Sequence, residues 1–271
     1  MTESWIREPC FARTFYPHQP AALGREIERC LGTRRAEEPA RVLVAPHAGY
    51  VYSGAVAGAL YARARIEARV VLLAPNHTGH GERLSVWAHG SWRLPTGEIP
   101  VAEDLAARLV QAHPDLAPDR RAHEQEHAIE VQLPFLLHRR SDVAIVPMVL
   151  GPLELDRCQA LGKAIGRVIA EETLPVQLLA STDMSHYVPA GTAKTQDMKA
   201  IDRIVALDPE GLYETVKRED ITMCGFIPTT VALFAAKALG CAHAELCRYG
   251  NSGDTTEDYD SVVGYASLLV R

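Results

Sequence analysis

The sequence predicts an α/β fold: a single-domain three-layer α/β/α sandwich around a mixed, mostly parallel sheet. Short apolar runs typical of buried strands alternate with longer amphipathic segments typical of helices. Two of the runs, Val42-Leu43-Val44-Ala45 and Val70-Val71-Leu72-Leu73-Ala74, each end at a proline. Two more apolar runs close the chain with no helix between them, which favours antiparallel additions and therefore a mixed sheet.

The elements can be assigned in chain order. Pro20 suits the first turn of a helix that Gly32 can end. Ser53 is expected to cap a second helix, whose small residues allow close packing on a sheet. We predict strands at 41–45, 69–74, 143–150, 176–180, 244–249 and 261–270, and helices at 20–31, from 53 onward, 102–112, 155–170, 193–206, 209–217 and 228–238.

Two segments are less regular. The runs 84–88 and 91–94 predict a short β-hairpin with His89-Gly90 at its turn. Residues 124–137 predict a helix that Pro134 kinks or ends.

Composition excludes several classes of function. The 271 residues carry 28 Lys and Arg against 34 Asp and Glu, a net charge of −6, so no basic field attracts nucleic acid. Lys237 interrupts the longest apolar stretch, and residues 1–5 do not resemble a secretory leader, so we expect no membrane segment. The six cysteines are scattered without a CxxC motif, which predicts reduced thiols and a cytoplasmic location. With no repeat or boundary, residues 1–271 are predicted to form one domain.

Three histidines follow predicted strand ends. His47 and His77 each come just after a proline that stops a strand, and His186 follows the strand at 176–180. Ligands of open α/β sheets gather at this edge. A single such histidine is usually a hydrogen-bonded loop residue, but three on separate strands can converge, and imidazole is a common ligand for zinc, iron and copper.

Asp183 and Cys224 are the candidate partners of these histidines. Asp183 precedes His186 by three residues and is expected to accept its second ring N–H, although a loop cap is the simpler role. Cys224 precedes Gly225 and an apolar helix. A helix N-terminus lowers a thiol pKa, so Cys224 is predicted to be a thiolate ligand or nucleophile, whereas the other cysteines are expected to be small apolar residues.

The segment His123-Glu124-Gln125-Glu126-His127 matches the zincin pattern H-E-x-x-H. A zincin motif lies within a helix, yet the residues before His123 are mostly polar and predict a loop. We therefore treat the match as a chance occurrence, with His127 and Glu130 opening the apolar half of the segment.

The chain resembles the MEMO family, whose prokaryotic members are called AmmeMemoRadiSam system protein B. The resemblance extends in order over nearly the whole chain. It is carried by Phe15-Tyr16-Pro17, Ala45-Pro46-His47-Ala48-Gly49-Tyr50, Pro75-Asn76-His77, Glu126-His127-Ala128-Ile129-Glu130-Val131-Gln132-Leu133-Pro134, Ser181-Thr182-Asp183-Met184-Ser185-His186, Cys224-Gly225 and Ser261-Val262-Val263-Gly264-Tyr265-Ala266.

This family is similar in fold to class III extradiol dioxygenases of the LigB type, which hold non-haem Fe(II) with two histidines and a glutamate. The resemblance implies that His47, His77 and Cys224 are metal ligands, with Cys224 in place of the glutamate. It implies that His186 is the acid/base and places His127 in the remaining pocket motif. It also implies AMMECR-type and radical-SAM partner proteins.

Three functions remain open from the sequence. The first is a redox enzyme that uses Fe(II), with copper or zinc as alternatives, on a small phenol-like substrate; His186, Asp183 and His127 are its catalytic candidates. The second is a non-catalytic adaptor that binds a peptide or a metal in the same pocket. The third is a zinc hydrolase. A thiolate is softer than a carboxylate and can itself be oxidised, so ring cleavage does not follow from the fold alone.

Overall fold

A nine-stranded mixed sheet forms the centre of the molecule in a computed structural model that describes residues 5–33 and 36–271. Residues 1–4, part of the segment in which we expect no leader, lie outside that description. The strands are β1 (Ile6–Arg7), β2 (Val42–Ala45), β3 (Arg69–Pro75), β4 (Leu84–Val86), β5 (Ser91–Leu94), β6 (Gly97–Pro100), β7 (Ala117–Pro118), β8 (Ala144–Leu150), β9 (Val176–Ser181), β10 (His186–Val188), β11 (Ala244–Asn251) and β12 (Val262–Val270).

Helices cover both faces of this sheet. They are α1 (Pro20–Leu31), α2 (Tyr50–Tyr61), α3 (Glu103–Ala112), α4 (Arg121–Glu124), α5 (His127–Glu130), α6 (Leu133–Arg139), α7 (Leu155–Ala170), α8 (Ala190–Val205), α9 (Pro209–Arg218), α10 (Phe226–Ala238) and α11 (Gly253–Thr256). One layer contains α1, α2 and α6, and the other contains α3 and α7 to α10. The predicted three-layer α/β/α sandwich is therefore confirmed.

The sheet has the order β10-β12-β2-β9-β3-β8-β4-β7, with β11 also paired to β12. The inner strands β2, β9, β3 and β8 are parallel, and β12 and β4 join them antiparallel on either side. All four residues of β2 are buried, as expected for a strand covered on both faces. The parallel inner strands bring their carboxyl ends to one edge.

The predicted hairpin at 84–94 is wrong. β4 pairs with β8 in the main sheet, whereas β5 pairs with β1 and β6 in a separate three-stranded sheet. Pro95 and Thr96 form the tight turn that joins β5 to β6. The residues at the expected turn, His89 and Gly90, instead lead from one sheet to the other, and the Ser91 N–H donates to the Trp5 carbonyl at 2.9 Å.

The predicted helix at 124–137 is also wrong, because the chain forms three short helices, α4, α5 and α6. The Glu126 side chain turns inward and accepts the Ala128 N–H at 2.9 Å, so it ends one helix and caps the next. Pro134 lies in the first turn of α6, where a missing N–H costs nothing. Ser53 is not a cap either, since α2 begins at Tyr50 and the Ser53 hydroxyl donates to Ala48 O.

No helix within residues 5–33 and 36–271 has both the length and the apolar composition of a membrane-crossing segment.

Candidate metal centre

Two histidines meet at the edge of the sheet where the parallel strands β2 and β3 end. His47 follows β2 and His77 follows β3, each by two residues, and β9 lies between these strands. The two imidazole centroids are 5.2 Å apart. The convergence predicted from the strand-end positions is therefore present in the fold.

Cys224 completes this cluster from the loop before α10. Its Sγ lies 3.3 Å from His47 Nε2. One ligand atom each from His47, His77 and Cys224 lies within 4.8 Å of the others. We call these three residues the His–His–Cys group.

Gly225 allows the Cys224 loop to approach β9. A Cβ at position 225 would lie 2.4 Å from the Ser181 carbonyl oxygen and 2.5 Å from Thr182 Cβ. The Gly225 N–H donates instead to Thr182 Oγ1 at 3.0 Å. Only glycine brings the cysteine this close to the strand end.

A chain of hydrogen bonds sets the tautomer of His47. Gln132 Nε2 donates to both the Pro46 carbonyl and Ser181 Oγ at 2.9 Å, while Gln132 Oε1 accepts the Tyr61 hydroxyl. The single Ser181 hydroxyl hydrogen goes to the Ala128 carbonyl at 2.7 Å. Ser181 Oγ can therefore only accept from His47 Nδ1, 2.9 Å away. His47 Nδ1 carries the hydrogen, and Nε2 presents a lone pair to Cys224.

Glu126 sets the tautomer of His77 in the same way. Its carboxylate is fully buried and accepts the His77 backbone N–H at 2.7 Å and Nδ1 at 2.9 Å. Burial opposes ionisation of Glu126, but the bond to His77 and the Ala128 N–H outweigh it and lower the carboxyl pKa to about 2. Burial also opposes the charge on His77, yet Glu126 raises the pKa of that imidazole. The donated Nδ1–H leaves His77 Nε2 available as a ligand.

His127 adds a third imidazole beside the His–His–Cys group. Its ring stacks on His77 with centroids 4.6 Å apart and meets His47 edge-on at 5.2 Å. Burial, followed by the charge of His47, lowers the His127 pKa to about 4. His77, Glu126 and His127 also form a compact donor set, so His127 can either bind a ligand or enter the metal shell.

His186 faces the cluster from β10, but Asp183 does not orient it as expected. His186 Nδ1 lies 2.9 Å from the Thr222 carbonyl, and its backbone N–H donates to Thr222 Oγ1 at 2.7 Å. A carbonyl only accepts, so Nδ1 carries the hydrogen and Nε2 is free. Asp183 instead accepts the backbone N–H of His47 at 2.8 Å. Thr222 lies in the same loop as Cys224. Its carbonyl accepts the His186 Nδ1–H in place of the predicted Asp183 carboxylate.

The predicted low pKa of Cys224 is also wrong in the metal-free protein. Burial, followed by the nearby Asp183 carboxylate, raises the pKa of the thiol. Cys224 lies one residue outside the Gly225 cap of α10, so the helix end contributes less than burial. Burial likewise raises the Asp183 pKa and lowers that of His47 to about 3. A cation would therefore displace a thiol proton on binding.

A cavity of about 450 Å³ opens beside this cluster. We call it the aromatic cavity, because four of its lining side chains are aromatic. Its described lining residues are Phe15, Ala48, Gly49, Tyr52, His127, Asp183, His186, Tyr187, Ser252, Thr256, Val263 and Tyr265.

His123 lies apart from the cluster, which removes the basis of a zincin site. His123 is fully buried between Trp87 and Trp92, and its Nε2 lies 2.8 Å from Ser85 Oγ. His127, in a separate helix, faces His77. The two histidines of the H-E-x-x-H match therefore do not share a helix face.

The donor set suits a transition-metal cation. His47 Nε2 and His77 Nε2 are both unprotonated, because the ring hydrogens sit on the Nδ1 atoms that Ser181 and Glu126 hold. His47 is buried, Cys224 is half-buried and His77 is exposed, and two imidazoles with one thiol match the ligand types that iron, copper and zinc accept. No role was predicted from the sequence for Glu126, Gln132 or Ser181, although all three lie within the segments that carry the family resemblance.

The fold and the cluster together define a class: a three-layer α/β protein with a His–His–Cys group at the carboxyl edge of its parallel strands. Within that class, residues 7–269 match the family model described as Memo-like protein. The chain belongs to the MEMO family.

Relatives in other organisms match over nearly their whole length. A MEMO1 family protein of Aquifex aeolicus is 39% identical, covering 97% of this chain and 98% of its own. MEMO1 family proteins of Methanopyrus kandleri and Methanosarcina barkeri are also 39% identical, each covering 98% of this chain. Among solved structures, an uncharacterized protein from Escherichia coli K12 is similar in fold, with a TM-score of 0.55 at 14% identity, covering 84% of this chain and 98% of that one.

Proposed function

We propose that this protein is a metal-dependent redox protein with a dioxygenase-like pocket that acts on a small phenolic substrate. His47, His77 and Cys224 would hold the metal, for which Fe(II) is our first choice and copper or zinc the alternatives. The observation that supports this most is the pair of free Nε2 atoms facing a thiol, with His47 Nε2 only 3.3 Å from Cys224 Sγ. When bound, iron would supply Lewis acidity and electron transfer beside the aromatic cavity.

The protein's own acid/base chemistry would fall to His186. Its Nδ1–H is held by the Thr222 carbonyl, so Nε2 can accept a proton only on the side that faces the cavity. A phenolic hydroxyl in the cavity would give its proton to this nitrogen. Thr222 would keep the imidazole in that orientation before and after the transfer.

Asp183 and His127 would complete the floor of the cavity. Asp183 is buried and its pKa is raised by burial, so it can share a proton with a bound hydroxyl. His127, with a pKa lowered to about 4, is neutral near pH 7 and can hydrogen-bond a substrate without adding charge. These two residues would orient the substrate, while His186 would move the proton.

A non-catalytic adaptor on the same fold is the second candidate. The exposed aromatic residues at the cavity mouth favour it, because an open apolar rim also suits the side chains of a peptide. A zinc hydrolase is the third and has less support, because His123 lies away from the cluster. AMMECR-type and radical-SAM partners, and a cytoplasmic location, remain proposals from the family resemblance and the reduced cysteines.

The test is oxygen consumption by protein purified anaerobically and loaded with Fe(II), with a panel of catechols. We expect turnover by the parent protein, and loss of at least a hundredfold in Cys224→Ser and His186→Gln. Cys241→Ser and His18→Gln, which change residues outside the cluster, serve as matched controls and should keep parental rates. Inactivity of the parent on every catechol, together with peptide binding that His127→Ala abolishes, would establish the adaptor instead.

A further inference from the structure

Tyr187 is an exposed aromatic residue held in a strained backbone conformation. Its φ is 58°, in the left-handed region that side chains with a bulky Cβ substituent rarely adopt. The residue is 78% exposed, so packing against the protein does not explain the conformation. Strain of this kind is concentrated at functional sites, where the surrounding structure maintains it.

A β-bulge at Tyr187 produces this conformation. His186 pairs with Val263 and Val188 pairs with Val262, so the two pairs are one position apart on β12 but two positions apart on β10. Tyr187 is the extra residue. Bulges of this type redirect a side chain next to an active site.

The bulge places two consecutive side chains in one cavity. In a regular strand, the side chains of His186 and Tyr187 would point to opposite faces of the sheet. Here both line the aromatic cavity, and their ring centroids are 5.8 Å apart. The strained residue therefore presents an aromatic ring directly beside the candidate base.

The rest of the cavity indicates what this ring would meet. Phe15, Tyr52 and Tyr265 supply further aromatic surface. The polar lining residues are one carboxylate, two histidines and two hydroxyl residues: Asp183, His127, His186, Ser252 and Thr256. Among the described lining residues there is no lysine or arginine, so no permanently charged cationic side chain there would pair with a phosphate or a second carboxylate. The volume of about 450 Å³ is in the range of small-molecule sites.

We propose that Tyr187 is a substrate-contacting residue that stacks on the planar ring of a small, uncharged phenol and sets specificity for an aromatic substrate. This inference rests on the proposed function, because it assigns a specificity-determining residue for the phenolic substrate proposed for the same cavity. The ring would lie against Tyr187, with its hydroxyl directed towards His186. Phe15 and Tyr52 would enclose it from the other lining segments.

Calorimetric binding of catechol to the full-length protein tests this inference, with and without prior removal of metal by a chelator. Tyr187→Asn removes the ring and keeps a residue type that tolerates positive φ, while Tyr187→Phe keeps the ring. We expect catechol affinity to fall about three- to tenfold in Tyr187→Asn, the range of an aromatic contact, and to stay within about twofold in Tyr187→Phe. Tyr259→Ala, at an exposed tyrosine outside the cavity lining, should match the parent.

Two further probes distinguish the possible ligands. Cyclohexane-1,2-diol has the two hydroxyls without the aromatic ring, so its affinity should not change in Tyr187→Asn. The peptide Gly-Gly-Tyr-Gly-Gly tests for recognition of a phenol ring that is attached to a peptide chain. Equal catechol affinity in the parent and in Tyr187→Asn would overturn the proposal. A loss of affinity in Tyr187→Asn for the peptide but not for catechol would overturn it as well.

Metal content separates this inference from the proposed function. Tyr187→Asn should bind as much iron as the parent. The parent protein could bind no metal while Tyr187→Asn still weakens catechol binding, both with and without chelator treatment. In that case the proposed function is wrong, whereas the contact between Tyr187 and the substrate ring is supported.

Discussion

Both oxygens of the Glu126 carboxylate bind His77: one accepts the ring Nδ1–H at 2.9 Å and the other accepts the backbone N–H at 2.7 Å. The same residue caps α5 by accepting the Ala128 N–H. One buried carboxylate therefore accepts hydrogen bonds from the segment after β3, from the start of α5 and from the His77 imidazole. A carboxylate in this position orients a metal-binding histidine and raises its basicity. Glu126 is therefore central to the cluster without being one of the three proposed metal ligands.

Glu126→Gln should weaken metal binding by about 10- to 100-fold, because the amide has one acceptor oxygen and no charge, and cannot accept both the Nδ1–H and the backbone N–H of His77. Titration of the metal-free protein with Fe(II) under anaerobic conditions measures this. Glu124→Gln is a matched control, since Glu124 lies two residues away with an exposed side chain. Parental affinity in Glu126→Gln would show that His77 needs no carboxylate partner.

Ser181→Ala should weaken metal binding by about tenfold and lower the free energy of unfolding by about 1–3 kcal/mol. The change leaves His47 Nδ1–H, the Ala128 carbonyl and one Gln132 N–H without the partner they share. Metal titration and urea denaturation measure the two effects.

Ser267→Ala is the control for this change. Ser267 is fully buried, but its Oγ has no hydrogen-bond partner among the described residues. Its replacement should therefore alter neither quantity by more than a small amount. If Ser267→Ala weakens metal binding as much as Ser181→Ala, the loss comes from removing any buried serine hydroxyl and not from a change in the tautomer of His47.

The sequence predicts the elements of this fold better than their pairing. The helix at 155–170 matches α7 because its apolar positions repeat with helical period, and α1 ends at Gly32 as its positive φ requires. Local patterns cannot show that β4 pairs with β8 and not with β5, because strand pairing is decided by distant residues. They also cannot show that a buried Glu126 would break a helix.

The sequence also locates the ligands of the candidate site better than their supports. His47 and His77 could be found because strand ends are visible as apolar runs that stop at a proline. The residues that orient them are distant in the chain, with Glu126 49 positions from His77 and Ser181 134 positions from His47. The contact between Thr222 and His186 depends on the course of the Cys224 loop, which no spacing in the sequence indicates.

His123→Gln should make the metal-free protein less sensitive to acid. Burial lowers the pKa of His123 to about 3, below the ordinary value near 6.5. Above pH 6.5 both states are neutral, whereas between pH 6.5 and about 3 only the unfolded state gains the proton. His123 therefore makes the parent lose up to about 1.4 kcal/mol per pH unit as the pH falls through this window.

Urea denaturation at several pH values between 8 and 4 measures this difference. The stability difference between His123→Gln and the parent should be constant at pH 7–8 and shift in favour of the variant below pH 6. Metal content should be unchanged, because His123 lies apart from the His–His–Cys group. Loss of metal in this variant would revive the zincin interpretation.

Glu130→Gln should destabilise the protein by about 3–5 kcal/mol, because it leaves the buried Arg7 guanidinium without its charge partner. Glu130 also accepts the Tyr16 hydroxyl at 2.6 Å and the Phe11 N–H at 2.8 Å, which attaches the N-terminal segment to α5. Thermal denaturation measures the loss. The exposed pair Arg29–Glu26 is the control, and Glu26→Gln should cost at most about 1 kcal/mol.

The central claim is that His47, His77 and Cys224 hold one metal ion. The most direct test is a crystal structure of anaerobically purified protein with anomalous scattering recorded at the iron, copper and zinc edges. We predict a single peak between His47 Nε2, His77 Nε2 and Cys224 Sγ, strongest above the iron edge and absent from Cys224→Ala. Two results would contradict this account. One is iron-loaded protein in which the three side chains are well ordered but no anomalous peak lies between them, and the other is an equal peak in Cys224→Ala.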